Sequence, residues 1–204
     1  MMLIKKENPI ADEWKKLYNE QPVKIKEKLD ALDKMKPKEY QLQVIKKTKP
    51  VLQDGDVFIL SPRENVYFYG KVLKAKINHI NNNTFVDGKS LVFIFRNKTD
   101  KLTIDDFKPD YSQLLIRPTI VDISYWNKGL FYNVGNVPLT EDEHRLNYGF
   151  LNIGIKANTY CKENGEVIEG KPQILGVFGV STITGVASKI EQQLIINPEL
   201  LKFE

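Results

Sequence analysis

Apolar residues recur at helical spacing near the start of the chain. Ile10, Trp14, Leu17 and Tyr18 fall at i, i+4, i+7 and i+8, with lysines on the opposite side, the stripe of an amphipathic helix. Asp12 and Glu13 stand in its first turn, where the helix dipole favours negative charge. Pro22 suits the first turn of a second short helix carrying Val23, Ile25, Leu29 and Leu32, and Pro37 stops it. Tyr40, Leu42 and Val44 then alternate with polar residues, which predicts a strand that Ile45 interrupts. Short helices of this kind are marginal alone, so their stripe must be covered by the rest of the chain.

After Pro50 the pattern changes to strands and turns. Asp54-Gly55 is a turn signal, and Asp56–Leu60 follows it as a strand. Tyr67 to Leu73 is aromatic and β-branched around Gly70, a strand with a bulge or a close backbone approach. Leu91–Phe95 is a fully apolar run that reads as a central strand. Leu114–Ile116 and Thr119–Ile123 flank Pro118, which places that strand at an edge or across a bend. Phe131–Val134, Leu151–Ile155 and Ile174–Val180 are further strands, and Val186–Leu194 closes the chain as a short helix. The predicted fold is α+β: a mostly antiparallel, strongly curved sheet or partial barrel, with N-terminal helices and a short C-terminal helix. It divides into a helical, lysine-rich extension over residues 1–50, packed on a β-rich domain over residues 51–204.

Charge sharpens that division. Residues 1–50 hold 13 lysines against 8 acids, a surplus of +5, whereas residues 51–204 hold 17 Lys/Arg against 18 acids. The surplus reads either as a solvated helix face or as a surface for an acidic partner or nucleic acid. The single cysteine, Cys161, excludes an internal disulfide framework and fits a reducing compartment. No apolar run approaches the roughly 20 residues of a membrane span, and no signal peptide is visible, so a soluble, cytoplasmic protein is expected.

Candidate chemistry is thin. His79 and His144 are far apart and there is no CxxC, so no metal site is predicted. His79 reads as an exposed loop residue and His144 as an exposed, acid-flanked one. Glu141-Asp142-Glu143 and Asp105-Asp106 read as helix-start or solubilising acids. No phosphate-binding or nucleophile-elbow motif occurs. Neither a catalytic constellation nor a cofactor is predicted.

Two segments carry more specific content. The first runs Gly55-Asp56-Val57-Phe58-Ile59-Leu60 and on to Tyr67-Phe68-Tyr69-Gly70-Lys71-Val72-Leu73. The second runs Arg117-Pro118-Thr119-Ile120-Val121, then Trp126 through Gly129, Phe131, Gly135 and Pro138 to Leu139. In order and spacing they resemble the immunity protein 26 family of bacterial polymorphic toxin systems, over about residues 51–150. The resemblance implies a cytoplasmic, non-catalytic antitoxin that binds a cognate secreted toxin domain and blocks it one to one.

The physical reading of the motif residues is mainly structural. Gly55 permits the turn into a hairpin and Gly70 a bulge. Asp56, Tyr69, Pro118, Gly129 and Gly135 belong to the same signature, Phe58, Phe68 and Phe131 read as core, and Pro138 pins the end of an Asn133–Asn136 turn. Trp126 is either a core residue or an interface anchor. The partner surface is expected among Tyr67, Tyr69, Tyr125 and the loop around Asn82. The alternative is a nucleic-acid-binding β-barrel module, with Tyr67, Phe68 and Tyr69 stacking bases and a basic helical arm on the phosphates. Oligomeric state is left open.

Overall fold

In the computed structural model, residues 7–81, 85–154 and 157–203 are described. The chain begins with helices α1 (Pro9–Glu20) and α2 (Val23–Lys34). Asn8 caps α1 by accepting from the Ala11 amide at 3.1 Å, and Pro22 stands immediately before α2 rather than inside it. Strands β1 (Asp56–Arg63), β2 (Val66–Lys74), β3 (Ser90–Thr99), β4 (Leu114–Val121) and β5 (Phe131–Asn136) follow. They form one antiparallel sheet in the order β4-β3-β2-β1-β5. Helix α3 (Ser124–Asn127) lies between β4 and β5, and helix α4 (Glu141–His144) follows β5. A second sheet holds β6 (Tyr148–Asn152), β7 (Thr159–Cys161) and β8 (Ile174–Val177), with β6 central, antiparallel to β7 and parallel to β8. Helix α5 (Ile183–Ile196) is the last α-helix, and a 3-10 turn at Pro198–Leu201 follows it and buries Leu200.

Both faces of the large sheet are buried, and the period of two in its strands divides the core accordingly. Phe58, Leu60, Phe68, Val72, Val92 and Ile94 point toward α5, which answers with Val186, Ala187, Ile190 and Leu194. Leu29 and Leu32 of α2 are buried where that helix lies against α5. On the other face Leu73, Leu91, Phe93 and Phe95 meet Tyr148 and Phe150 of the small sheet. Val57, Ile59 and Tyr69 form a third cluster beside them.

This layering corrects the expectation of a strongly curved sheet or partial barrel. The large sheet neither closes nor curls strongly, and β4 and β5 remain its two edges. Bulges do interrupt the registers, including one between Phe68 and Gly70 against β3. They do not roll the sheet up, because a helix layer and a second sheet cover its faces and closure is not needed to bury them. Gly70 answers chiefly to close approach: it pairs with Phe58, and a Cβ there would overlap the Phe58 ring. Gly55 has φ +89°, a turn conformation that favours glycine.

Two local expectations also change. Residues 40–44 are not a strand. The segment after Pro37–Glu39 is extended, but its amides reach separate partners, Gln43 to Ser61 O and Ile45 to Gly129 O, each at 2.7 Å, so no ladder forms. Asn133–Asn136 forms the last four residues of β5 rather than a turn, and exposed Pro138 follows it.

Phe131 sits where these layers converge. Its ring is fully buried, stacks on Phe58 at 4.4 Å and lies 4.6 Å from Tyr125 and 5.2 Å from Trp126. Truncating it leaves a cavity among three other aromatic rings. Phe131→Ala is expected to lower unfolding free energy by roughly 3–5 kcal/mol, read as a lower urea midpoint with an unchanged slope.

Candidate protein-interaction face

The motif residues converge on a buried polar network. Asp56, only 7% exposed, opens β1 opposite Asn136 of β5. Its carboxylate accepts from the Gln53 amide at 2.9 Å, Asn136 Nδ2 at 2.8 Å and Asn133 Nδ2 at 3.1 Å. The Asn133 Oδ1 in turn accepts from the Trp126 indole N–H at 2.6 Å. Trp126 is therefore a core residue whose one polar atom is satisfied.

A second network lies on the opposite sheet face. Lys71 is 1% exposed, and its ammonium donates to both Glu143 oxygens at 2.8 Å. Tyr111 Oη donates to the same carboxylate at 2.6 Å, and the Thr140 amide at 2.8 Å. Burial alone would raise the Glu143 pKa. The bonds from Lys71, Tyr111 and Thr140 together outweigh it and hold the carboxyl below its ordinary value. The Tyr111 hydroxyl is pushed up, by burial first and by Glu143 second. A cavity of about 240 Å³ opens beside the group, lined also by Val137 and Leu146. With every oxygen and the ammonium paired, this arrangement holds α4 to the sheet.

Outward from these networks lies a shallow aromatic face. Val57, Ile59 and Tyr69 are fully buried, yet the apolar residues over them, Tyr67, Tyr132, Val134, Ile104 and Ile45, are only partly so. The Lys46 ammonium stands 5.7 Å from the Tyr132 ring centre. Half-exposed tyrosines on a rigid sheet, with lysine at the rim, have the composition of a protein-binding patch. The most exposed large apolar residues elsewhere, Val51, Phe85 and Val23, lie far apart in sequence on separate segments.

The structure places the expected partner residues unevenly. Tyr67 is on this face. Tyr69 and Tyr125 are not at the surface, which corrects their reading as contact residues. Tyr69 Oη donates to Thr103 O at 2.7 Å beneath Phe107, and Tyr125 Oη to Ser181 O at 2.9 Å. Asn82 lies outside the described residues. Pro118 sits in edge strand β4, Gly129 lies just before β5, and Gly135 lies within β5 opposite Val57. His79 lies in a loop as expected but is buried rather than exposed; its ring lies 6.0 Å from that of Phe178. Phe68 and Tyr69 are fully buried, so the Tyr67–Tyr69 run offers no platform for stacked bases.

Sequence reasoning missed Tyr132, Lys71 and Glu143. Lys71 was visible as a lysine at an inward position of an apolar strand. Glu143 was visible as the last residue of Thr140-x-x-Glu143, a capping box, which the structure forms. Among the described residues no group of three or more His, Cys, Asp or Glu is placed to hold a metal, and no helix is long and apolar enough to cross a membrane.

Comparison with known proteins gives one finding. The family model described as immunity protein 26 matches residues 53–161, an interval that runs from the Gln53 amide bonded to Asp56 through β7. No curated protein and no solved structure matches the chain.

The buried ion pair has testable consequences. Glu143→Ala strands the Lys71 charge and should cost roughly 3–5 kcal/mol at neutral pH, while Lys71→Met combined with Glu143→Leu should recover most of the loss. A depressed carboxyl pKa stabilises the fold above its unfolded value, and the gain fades as pH falls. Stability should therefore be constant near neutrality and decline once pH drops below 4.5, the ordinary glutamate value. Urea melts of the wild type and the double variant across that range should differ in this slope.

Proposed function

The chain belongs to the immunity protein 26 family, and from that membership we propose that it is an antitoxin. It neutralises a cognate secreted toxin domain by stoichiometric protein–protein binding. The observation that carries this reading is the family match over more than half of the chain. The proposed contact surface is the outer face of β5, β1 and β2, centred on Tyr67 and Tyr132. These rings present large amphipathic area with little side-chain entropy to lose, on a sheet whose other face is fixed by α5.

Family residues and contact residues are thereby separated. Asp56, Phe58, Trp126 and Phe131 shape the sheet from within, and the half-exposed residues above them meet the toxin. The nucleic-acid alternative loses its stacking platform with the burial of Phe68 and Tyr69.

The test is co-expression with the toxin domain encoded beside this chain. Growth should be rescued, and the purified pair should form a one-to-one complex with Kd about 1 nM. The double change Tyr67→Ala and Tyr132→Ala should weaken that complex by about 2 kcal/mol or more, measured by calorimetry on protein that urea melts show to be folded. Failure of both rescue and complex formation refutes the antitoxin reading. Full rescue with unaltered affinity in the double variant moves the contact surface elsewhere.

A further inference from the structure

Helix α1 is held differently from the other helices. Among the described residues it alone of the five α-helices buries no residue. Its apolar stripe of Ile10, Trp14 and Leu17 instead roofs a cavity of about 350 Å³ whose floor includes Ile116, Arg117 and Val177. A second cavity of about 400 Å³ continues along β4 toward Gln173–Leu175 and shares Ile116, Arg117 and Gln193 with the first. The groove therefore runs on past the helix, and α1 fills only part of it.

The contacts across the groove are polar and open to water. Glu13 accepts from Arg117 at 2.6 Å and from Lys171 at 2.7 Å, with all three side chains more than a third exposed. Lys189 lines the same groove and makes no ion pair among the described residues. One helical carboxylate thus pairs with two cations while a third lines the same groove, and exposed pairs of this kind hold weakly. Gln21 and Pro22, both extended with ψ of 145° and 152°, form the joint to α2. Tyr18 donates to Asp30 at 2.7 Å, Lys26 to Asn19 O at 2.8 Å and Asn158 Nδ2 to Glu7 O at 2.7 Å, so α1 is tied at both ends by exposed polar bonds and by no fully buried residue.

We propose that this groove is a binding site for an amphipathic helix bearing a carboxylate, supplied by a protein partner, and that α1 is its resident occupant. Charge complementarity selects the ligand: the floor is cationic and apolar, and the one segment seated on it is helical, aromatic and anionic where it touches. The inference does not depend on the antitoxin reading, and its test needs no toxin.

The probe is a peptide of residues 8–20 with blocked ends, offered to full-length chains. The double change Trp14→Ala and Leu17→Ala loosens the resident helix without touching the floor, and leaves buried Trp126 as the chain's only tryptophan. Fluorescence of the peptide's own tryptophan then reports binding. The peptide should bind the double variant about tenfold tighter than the wild type, since a resident competitor lowers apparent affinity. Glu13→Gln in the peptide should weaken it about threefold. In the wild type, α1 amides should exchange hydrogen about tenfold faster than those of α2. Equal binding to both chains, binding to neither, or equal protection of the two helices would overturn the proposal.

Discussion

Asp56 faces a problem that much of the fold is arranged to solve. A carboxylate that is 7% exposed at the start of a central strand must be hydrogen-bonded or it destabilises the sheet. Three donors converge on it from two directions, the Gln53 amide in the turn behind it and the Asn133 and Asn136 amides on β5. Asn133 then offers its carbonyl to Trp126, so the indole can be interior without an orphaned N–H. Each member accounts for another. Leaving one such group unpaired typically costs about 1–3 kcal/mol, and here a loss at Asn133 would orphan the Trp126 indole and remove one of the three donors to Asp56. The network fixes the β1–β5 pairing and the position of α3, and with them the aromatic cluster of Phe58, Tyr125, Trp126 and Phe131.

Much of this was legible in the sequence where a period was available. The strands at Asp56–Leu60, Tyr67–Leu73 and Leu91–Phe95, the edge placement of Pro118 and the closing helix all follow from alternation and breakers, and the structure has them. The errors occur where pattern alone does not decide burial. Tyr69 and Tyr125 carry hydroxyls and read as surface, but each hydroxyl finds a backbone carbonyl inside. His79 stands beside an asparagine run, yet lies against Phe178. The strongly curved sheet or partial barrel was inferred from runs of strands with helices collected at the ends, and Gly70 was read as permitting a bulge. Gly70 exists instead because the Phe58 ring crosses directly over it, a contact no local pattern encodes. The Lys71–Glu143 pair joins residues 72 positions apart, beyond the reach of any spacing rule.

The matched interval, residues 53–161, leaves out α1, α2, β8 and α5. It nevertheless cannot complete its own core. Val186, Ile190 and Leu194 of α5 cover the face of the large sheet that carries Phe58 and Phe131, and β8 pairs with the central strand of the small sheet. The segments beyond the match therefore finish the layers on both faces of the large sheet. Over β4 and α5, α1 adds an amphipathic layer that buries nothing fully. These two kinds of addition differ in energetic weight. Removing α5 would expose a sheet face, whereas lifting α1 would break exposed ion pairs and half-buried contacts.

Edge strands settle how a partner can engage such a fold. An open sheet invites strand addition unless its edges are blocked. The extended segment after α2 reaches only the approach to β5, where the Ile45 and Thr48 amides bond to the Gly129 and Trp126 carbonyls. Along β4, Ile120 bridges to Val180, the Ser181 amide reaches Ile120 O, Arg117 reaches Leu175 O, and Pro118 removes a donor. Even three-residue β7 is bridged, at Cys161, by Val167. With β4 and β7 bridged, main-chain pairing is left only the short outer edge of β5. On the antitoxin reading, recognition therefore falls to side chains, and the half-exposed tyrosines above Val57 and Ile59 supply them on a sheet too well anchored to rearrange. Such a surface can change partner by changing rings and charges while Asp56, Asn133 and Trp126 beneath it stay as they are.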